Sequence, residues 1–93
     1  MPIVSFRCRK TEALYNGDRV TRWTKIERPA LRKLTQLALA KKLEDLLAPP
    51  GNRLEALSGD RYGQYSIRIN QQWRICFIWS TEGACEVEIL DYH

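Results

Sequence analysis

Apolar residues in the first half of the chain recur with the period of an α-helix. Across residues 26–42 they return at steps of three and four, and charged or amide side chains fill most positions between them. This spacing predicts an amphipathic helix, and Pro29, which is tolerated only in a first helical turn, places its start near Glu27 or Arg28. The apolar stripe consists of Leu31, Leu34, Leu37, Ala38 and the aliphatic stem of Lys42.

Shorter segments flank this helix. Residues 3–6 have the composition of a short β-strand, and Thr11 is positioned to cap a brief helix that Asn16-Gly17 ends. Residues 43–47 predict a further helical turn, which Pro49-Pro50-Gly51 stops.

The second half of the chain alternates with a period of two. Large apolar residues occupy every other position of 64–69 and of 73–79, and Val87 and Ile89 share a face near the end. Turns rich in glycine and amide side chains separate these runs, which therefore predict an antiparallel meander. The predicted strands are 53–57, 64–69, 73–79 and 84–90.

Helices that precede a sheet are typical of an α+β domain. We predict a two-layer fold in which the long helix covers the apolar face of the sheet. The 93 residues contain no repeat or linker and predict one domain, 1–93. The residues expected to form the contact between helix and sheet are Leu31, Leu34, Leu37, Tyr65, Ile67, Ile75 and Phe77.

Composition limits the cellular compartment and the kinds of binding partner that we expect. The net charge of +4 favours an anionic partner, such as nucleic acid or an acidic protein. The sequence shows neither the apolar region of a signal peptide nor a run long enough to span a membrane, so we expect a cytoplasmic protein. Its three cysteines are odd in number and form no C-x-x-C pair, so neither a disulfide framework nor a zinc knuckle is supported. Cys76 is expected in the core.

Two arginines of the predicted meander are candidate ligands for an anion. Arg74 interrupts a nearly all-apolar strand, so its guanidinium requires a specific partner, and Arg68 is predicted to face it from the neighbouring strand. The alternative for Arg68 is a solvated side chain paired with Glu86 or Glu88. Facing cations repel each other unless an anion or an acid lies between them, and this favours a phosphate-containing substrate.

The last three residues, Asp91-Tyr92-His93, carry the other candidate chemistry. His93 is the only histidine, and its ordinary pKa suits proton transfer near neutral pH. Tyr92 can stack on a nucleobase or donate a proton, and Asp91 can orient His93 or balance the arginines. The alternative is a solvated tail without a chemical role. The sequence has no motif for a metal or a nucleotide cofactor, so none is expected.

Several stretches resemble, in order and spacing, the HigB-type toxins of bacterial toxin–antitoxin pairs, in the RelE/ParE superfamily. The resemblance spans essentially the whole chain. The matching stretches are PPGNRLEAL (49–57), GDR (59–61), GQYSIRIN (63–70), QWRICF (72–77) and DYH (91–93), and IVSF (3–6) with residues 11–17 also fits.

The resemblance implies a small toxin fold with two N-terminal helices packed on a curved antiparallel sheet. It also implies a ribosome-dependent endoribonuclease that inhibits translation by cutting mRNA in the decoding site of the 70S ribosome. The implied protein partner is a HigA-type helix-turn-helix antitoxin, through which alone the toxin would meet operator DNA; no membrane partner is implied.

Site residues follow from the resemblance by position. Arg74 matches the family's phosphate-binding arginine, and the Asp91-Tyr92-His93 tail matches its catalytic and substrate-contacting residues. Arg68 and Arg61 are expected to contact RNA phosphates. Ser58 stands where members commonly have a lysine, and a serine supplies no cation beside the transferring phosphate.

The implied reaction needs no metal. The RNA 2′-hydroxyl attacks the adjacent phosphate and leaves a 2′,3′-cyclic phosphate and a 5′-hydroxyl end, while the protein positions the nucleotide, moves protons and stabilises negative charge. Two other functions remain as alternatives. One is a gyrase-inhibiting, ParE-like toxin, against which the Asp-Tyr-His tail argues, and the other is a non-catalytic binder of ribosome or RNA, weakened as an enzyme by Ser58.

Overall fold

The computed structural model describes residues 3–92, which form two α-helices followed by a four-stranded antiparallel sheet. The sheet order follows the chain order, so the predicted meander and the α+β class are confirmed. No helix of this described part is long and apolar enough to cross a membrane. The elements are α1 (Arg9–Tyr15), α2 (Glu27–Leu39), β1 (Glu55–Ala56), β2 (Tyr65–Arg68), β3 (Trp73–Ser80) and β4 (Gly83–Asp91).

Helix α2 begins at Glu27, as predicted, but it ends at Leu39 rather than at Lys42. Ala40 is extended, with φ −65° and ψ 131°. The backbone N–H groups of Lys41 and Lys42 donate to Asp45 Oδ2, at 2.9 and 3.2 Å. These bonds replace helical ones and start the 3₁₀ helix Leu43–Leu47, which was predicted as a helical turn.

The predicted capping role of Thr11 is wrong. Helix α1 begins at Arg9, and its N-cap residue, Cys8, makes no side-chain capping bond. Thr11 lies inside the helix, fully buried, and its Oγ1 accepts a hydrogen bond of 3.1 Å from the N–H of Ile89 in β4. Its hydroxyl thus joins the helix to the sheet. The predicted end at Asn16-Gly17 is confirmed, because Asn16 is the C-cap and Gly17 has a positive φ of 101°.

The buried core contains several of the residues that the pattern selected. Leu34 and Leu37 of α2 belong to one buried cluster with Ile67, Ile75 and Phe77 of the central strands. Two further predicted members, Leu31 and Tyr65, are half-buried and pack against its margin. Ahead of α2, the 3₁₀ helix Thr21–Ile26 adds the buried Trp23, which meets Trp73 edge-on with ring centroids 6.2 Å apart.

The opening segment extends the sheet beyond β4. Phe6 forms a parallel bridge with Val87, and the N–H of Val4 donates to the carbonyl of Ala84 at 2.7 Å. A register irregularity between β3 and β4 accompanies this contact. There Glu86 adopts a left-handed conformation with φ 53°, and its N–H donates to Ser5 Oγ at 2.9 Å. Residues 3–6 therefore support the strand that leads to the tail.

The first strand of the meander is shorter than predicted. Only Glu55–Ala56 pairs with β2, whereas the sequence pattern indicated 53–57. Arg53 departs from the extended conformation, with φ 46° and ψ 54°, because it closes the 3₁₀ turn Pro50–Asn52. The chain consequently enters the sheet at Glu55, opposite the buried Ser66 of β2.

Candidate functional site

Strand register brings a row of polar side chains together on the face of the sheet opposite the core. Glu55 lies opposite Ser66, Ser66 opposite Cys76, and Cys76 opposite Glu88. Because side chains alternate along a strand and partners in register share a face, Arg74 belongs to this face as well. Arg68 lies directly opposite Arg74, as predicted. We call this surface the polar face; its members are Glu55, Ser66, Arg68, Arg74, Cys76 and Glu88.

Arg74 is the most constrained cation of the polar face. The residue is only 7% exposed. Its Nε donates to Ser66 Oγ at 2.8 Å, its Nη2 donates to the Arg53 carbonyl at 2.7 Å, and the same Nη2 lies 3.5 Å from Glu55 Oε1. The guanidinium also lies 5.4 Å from the centre of the Tyr92 ring. These contacts are the specific partners that an arginine in an apolar strand requires.

The carbonyl that binds Arg74 is held in place by a buried amide. Asn52 is fully buried, and its Nδ2 donates to the carbonyls of Leu46 and Ala48 at 3.1 and 3.2 Å. Its Oδ1 accepts a hydrogen bond of 2.5 Å from Lys33 Nζ, which projects from α2. Partial burial, aided by the positive charge of Arg32, lowers the pKa of Lys33. This network fixes the turn that presents the Arg53 carbonyl.

An open cleft of about 370 Å³ lies over this arrangement. Three arginines line it, and the Arg68 side chain is oriented by donating its Nε to the Asn70 carbonyl at 3.1 Å. A concentration of arginines beside a phenol ring suits an anion that carries an aromatic group, such as a nucleotide. We call it the arginine cleft; its lining residues are Arg53, Arg68, Asn70, Gln71, Arg74 and Tyr92.

A second cleft of about 200 Å³ adjoins the first, and Tyr92 lines both. Ser58 lies here, exposed and extended, at the start of the 3₁₀ helix Gly59–Arg61. Arg61 also lines it, but its Nη1 donates to Gln64 Oε1 at 3.0 Å and to Glu88 Oε2 at 3.1 Å. We call this the serine cleft; its lining residues are Glu55, Ala56, Leu57, Ser58, Arg61 and Tyr92.

The two glutamates predicted as alternative partners of Arg68 bind other arginines. Glu86 pairs with Arg7 at 3.7 Å, and the buried Glu88 pairs with Arg61 at 3.1 Å and with Arg7 at 3.9 Å. The proposed pairing of Arg68 with either glutamate is therefore wrong. Arg61, a residue of the serine cleft, is thus bound to the sheet through Glu88.

The tail continues β4 and is tied to the turn between β2 and β3. Asp91 lies opposite Trp73 and accepts a hydrogen bond of 3.2 Å from Gln72 Nε2. The N–H of Tyr92 donates to the Gln72 carbonyl at 2.5 Å. These bonds place the Tyr92 ring beside Arg74. His93, which was predicted to share a concave surface with Arg74, lies outside the described residues.

Cys76 is not available as a nucleophile. It is fully buried, as predicted, and burial raises the pKa of its thiol. Within residues 3–92, no group of three or more His, Cys, Asp or Glu side chains is arranged to hold a metal ion.

One contributor to the clefts, Arg53, was missed by inspection of the sequence, whereas Glu55 stands where some members of the family that the chain resembles have a histidine. Arg53 supplies both a carbonyl to Arg74 and a wall of the arginine cleft, and Glu55 supplies a carboxylate to Arg74. The sequence predicted only that Pro49-Pro50-Gly51 stops the helical turn that precedes them. The direction of the chain toward Arg74 depends on the burial of Asn52, which local spacing does not reveal.

Comparison with known proteins identifies the family. A family model described as the RelE-like toxin HigB of type II toxin–antitoxin systems matches residues 4–93. The chain is 38% identical over 92 residues to toxin HigB-1 of Vibrio cholerae, covering 97% of this chain and 96% of that toxin. It is also 39% identical over 46 residues to an uncharacterized protein of Haemophilus influenzae, covering 50% and 46% of the two chains.

A toxin of this class has a cognate antitoxin as its partner. Because the first two matches cover nearly the whole chain, this chain belongs to the HigB-like family of RelE-like toxins, the toxin components of type II toxin–antitoxin systems.

Proposed function

We propose that this toxin is a ribosome-dependent endoribonuclease that cleaves mRNA without a metal ion, by attack of a 2′-hydroxyl on the adjacent phosphate. The observation that carries the proposal is the arginine cleft, in which Arg53, Arg68 and Arg74 surround a space bordered by Tyr92. The transition state of this reaction gathers negative charge on the phosphate oxygens. Preoriented cations and N–H donors stabilise such charge without reorganising during the reaction.

Each residue has a distinct part in this reaction. Arg74, held by Ser66 and the Arg53 carbonyl, binds the scissile phosphate, and Arg68 adds a second cation. The Tyr92 ring, which is partly exposed at 39%, stacks on a nucleobase. His93 transfers a proton, and Asp91 supports the tail that carries it. Arg61 and the Ser58 position border the neighbouring part of the RNA.

The partners and the setting follow from this activity. The ribosome presents the message in a fixed geometry, which turns an encounter between toxin and RNA into a positioned reaction. The antitoxin is a HigA-type helix-turn-helix protein that neutralises the toxin and represses the shared operon. The toxin acts as one cytoplasmic domain of two layers, with the helices covering the apolar face of the sheet and the polar face left for RNA.

In vitro translation with primer extension tests the proposal. A defined message is translated with the parent protein, with Arg74→Ala, and with Arg28→Ala, a control that removes an exposed arginine of α2. We expect codon-positioned cuts with the parent and the control, and loss of these cuts with Arg74→Ala. Blocked translation without cuts would indicate a non-catalytic binder, whereas inhibition of DNA supercoiling with intact messages would indicate a gyrase poison.

A further inference from the structure

The positive charge of this protein is concentrated in one segment of the chain, residues 19–42. The segment contains eight of the fifteen lysines and arginines but only one of the eleven acids, Glu27, so its net charge is +7. The remaining residues contain seven cations and ten acids and together carry −3, which leaves the +4 of the whole chain. Most of the segment forms the 3₁₀ helix Thr21–Ile26 and helix α2, so the cations belong to neighbouring elements.

Four exposed residues of α2 share one side of the helix. Their positions recur at steps of four, three and four residues, which places them one above another along the helix. The buried residues Leu34 and Leu37 occupy the other side and belong to the core. From Arg28 to Leu39 the helix rises by about 16 Å, since each residue adds about 1.5 Å. We call these four residues the α2 stripe; they are Arg28, Arg32, Thr35 and Leu39.

The two arginines of the α2 stripe form no salt bridge with an acid of the described residues. Within residues 3–92, the salt bridges are made by arginines that lie outside the segment 19–42. Arg28 and Arg32 are four residues apart, a spacing at which like charges destabilise a helix. The charge of Arg32 also contributes, after burial, to lowering the pKa of Lys33. An anionic partner that binds beside both arginines would remove this repulsion.

An exposed leucine at the end of the α2 stripe distinguishes a protein partner from a nucleic acid. Leu39 is 71% exposed, more than any other described leucine. Removing a leucine side chain from water is favourable, and this requires an apolar group on the partner. The phosphates that would bind the two arginines offer no such group, whereas a protein segment presents apolar side chains next to carboxylates. The stripe therefore fits an acidic, amphipathic protein segment.

Family membership provides a protein partner. A type II toxin has a cognate antitoxin, whatever reaction the toxin catalyses. The α2 stripe shares no residue with the arginine cleft or the serine cleft. We propose that the α2 stripe is a docking surface for the antitoxin, which binds it through an acidic, amphipathic segment. Carboxylates of that segment bind Arg28 and Arg32, and an apolar side chain covers Leu39.

Isothermal titration calorimetry with the purified antitoxin tests this surface. One toxin variant, the α2 variant, combines Arg28→Glu with Arg32→Glu, and the matched control combines Arg9→Glu with Lys10→Glu. Arg9 and Lys10 are exposed on α1, so both variants change the net charge equally. We expect the α2 variant to bind the antitoxin about 10²-fold more weakly or worse, because like charges then face each other. We expect the control to bind it like the parent.

A second pair of variants tests the apolar contact. We expect Leu39→Gln to weaken binding to the antitoxin about tenfold, because a polar amide replaces the leucine at the contact. Leu47→Gln is the matched control, since Leu47 is an exposed leucine outside the α2 stripe, and it should bind like the parent. Circular dichroism checks that each variant is folded.

A compensating change in the antitoxin identifies the carboxylates. Each exposed acid of the antitoxin is replaced in turn by lysine, and each product is titrated against the parent toxin and the α2 variant. We expect at least one lysine substitution to strengthen binding to the α2 variant while it weakens binding to the parent toxin. If the α2 variant does not fold, Arg28→Gln with Arg32→Gln tests the affinity without introducing a charge, and Arg9→Gln with Lys10→Gln is its control.

Sedimentation with 70S ribosomes separates the antitoxin from RNA as the occupant. We expect the α2 variant to bind ribosomes like its control. Weaker ribosome binding with unchanged antitoxin affinity would overturn the proposal and make the stripe an RNA surface, and weaker binding of both without a compensating lysine would also overturn it. Unchanged binding of both would show a solvated helix face, and equal losses in the α2 variant and its control would show only long-range attraction; either result overturns the proposal. Cleavage of the message is measured separately, so the proposed function stands or falls independently of these results.

Discussion

At the scale of single residues, Arg74 and Arg61 are each oriented by the neighbouring groups that they bind. Arg74 is fixed by Ser66 and by the carbonyl of Arg53, and Arg61 is fixed by Glu88. An arginine that is already oriented loses less conformational entropy when it binds a phosphate. Ser58 differs from these residues, because it lies exposed in the serine cleft.

Ser58→Lys is expected to increase message cleavage and toxicity. In the proposed reaction, the change adds a cation near the place where negative charge develops. It alters stability by only about ±0.5 kcal/mol, because the residue is exposed and extended. Primer extension on programmed ribosomes measures the gain. Arg74→Ala in the same background should abolish it, since both groups act on one phosphate. Equal cleavage by the parent and Ser58→Lys would show that the site is complete without a lysine.

Cys76 is expected to be the slowest of the three thiols to react with iodoacetamide in the native protein. It is buried, whereas Cys8 and Cys85 are half-buried, and the thiolate is the reactive form. Burial raises its pKa above the ordinary value of 9.0, so the stability that its neutral thiol contributes is present below pH 9 and is lost as the pH rises beyond it.

Two measurements check these expectations for Cys76. Mass spectrometry of alkylated peptides ranks the three thiols, and equally fast labelling at Cys76 would contradict the order. Denaturation of the parent and of Cys76→Ala between about pH 8 and pH 10.5 should show the parent losing stability relative to the variant as the pH rises. Because the other groups titrate in both proteins, the difference in stability between the parent and the variant reports the titration of Cys76.

At the scale of elements, short segments position the site and longer ones supply the stability. Strand β1 has only two residues, yet it places Glu55 beside Arg74. The turn Pro50–Asn52 presents the Arg53 carbonyl because Asn52 is bonded to α2 and to two carbonyls of the preceding segment. Helix α2 gives these segments their support, since Leu34 and Leu37 belong to the buried core.

Leu34→Ala is expected to lower the free energy of unfolding by about 2–5 kcal/mol, because it removes a fully buried side chain and leaves a cavity. Leu39→Ala on the same helix is the matched control, since Leu39 is 71% exposed and alanine favours a helix at least as well as leucine. Urea denaturation measures both variants. Equal midpoints for Leu34→Ala and the parent would show that the helix does not contribute to the core.

At the scale of the whole molecule, charge is distributed unevenly over a protein of net charge +4. Arginines border the arginine cleft, whereas the acids of the polar face are paired with other arginines or with Arg74. In the proposed function, this distribution attracts an anionic RNA strand toward Tyr92. The resulting affinity depends on salt, because bound cations displace the counterions of the nucleic acid.

Binding of a short single-stranded RNA is expected to weaken with salt, and the logarithm of the association constant should fall in proportion to the logarithm of the salt concentration. If Arg68 contacts one phosphate, Arg68→Gln should reduce the slope by about 0.7. Arg28→Gln, which removes an exposed arginine of α2, is the control and should leave the slope near that of the parent. Fluorescence anisotropy across a salt series measures the slopes. Identical slopes for Arg68→Gln and the parent would place the RNA elsewhere.

The sequence by itself determined the features that depend on short spacings. Periods of 3.6 and of two located α2 and the strands of the meander, and the parity of β2 and β3 placed Arg68 opposite Arg74. The position of Arg74 within an apolar strand also predicted that its guanidinium has a specific partner. These features are local, because backbone geometry repeats along each element and sets which side chains share a face.

Only the tertiary structure decided which partners these residues have. Thr11 binds the backbone of β4 instead of capping α1, and Arg74 binds groups from Arg53, Glu55 and Ser66. Hydrogen bonds of this kind join segments that are distant in the chain, so their geometry depends on how whole elements pack. The physical reason is that a buried polar group forms a hydrogen bond with whichever group the packing places beside it. The spacing of residues along the sequence does not predict which group that is.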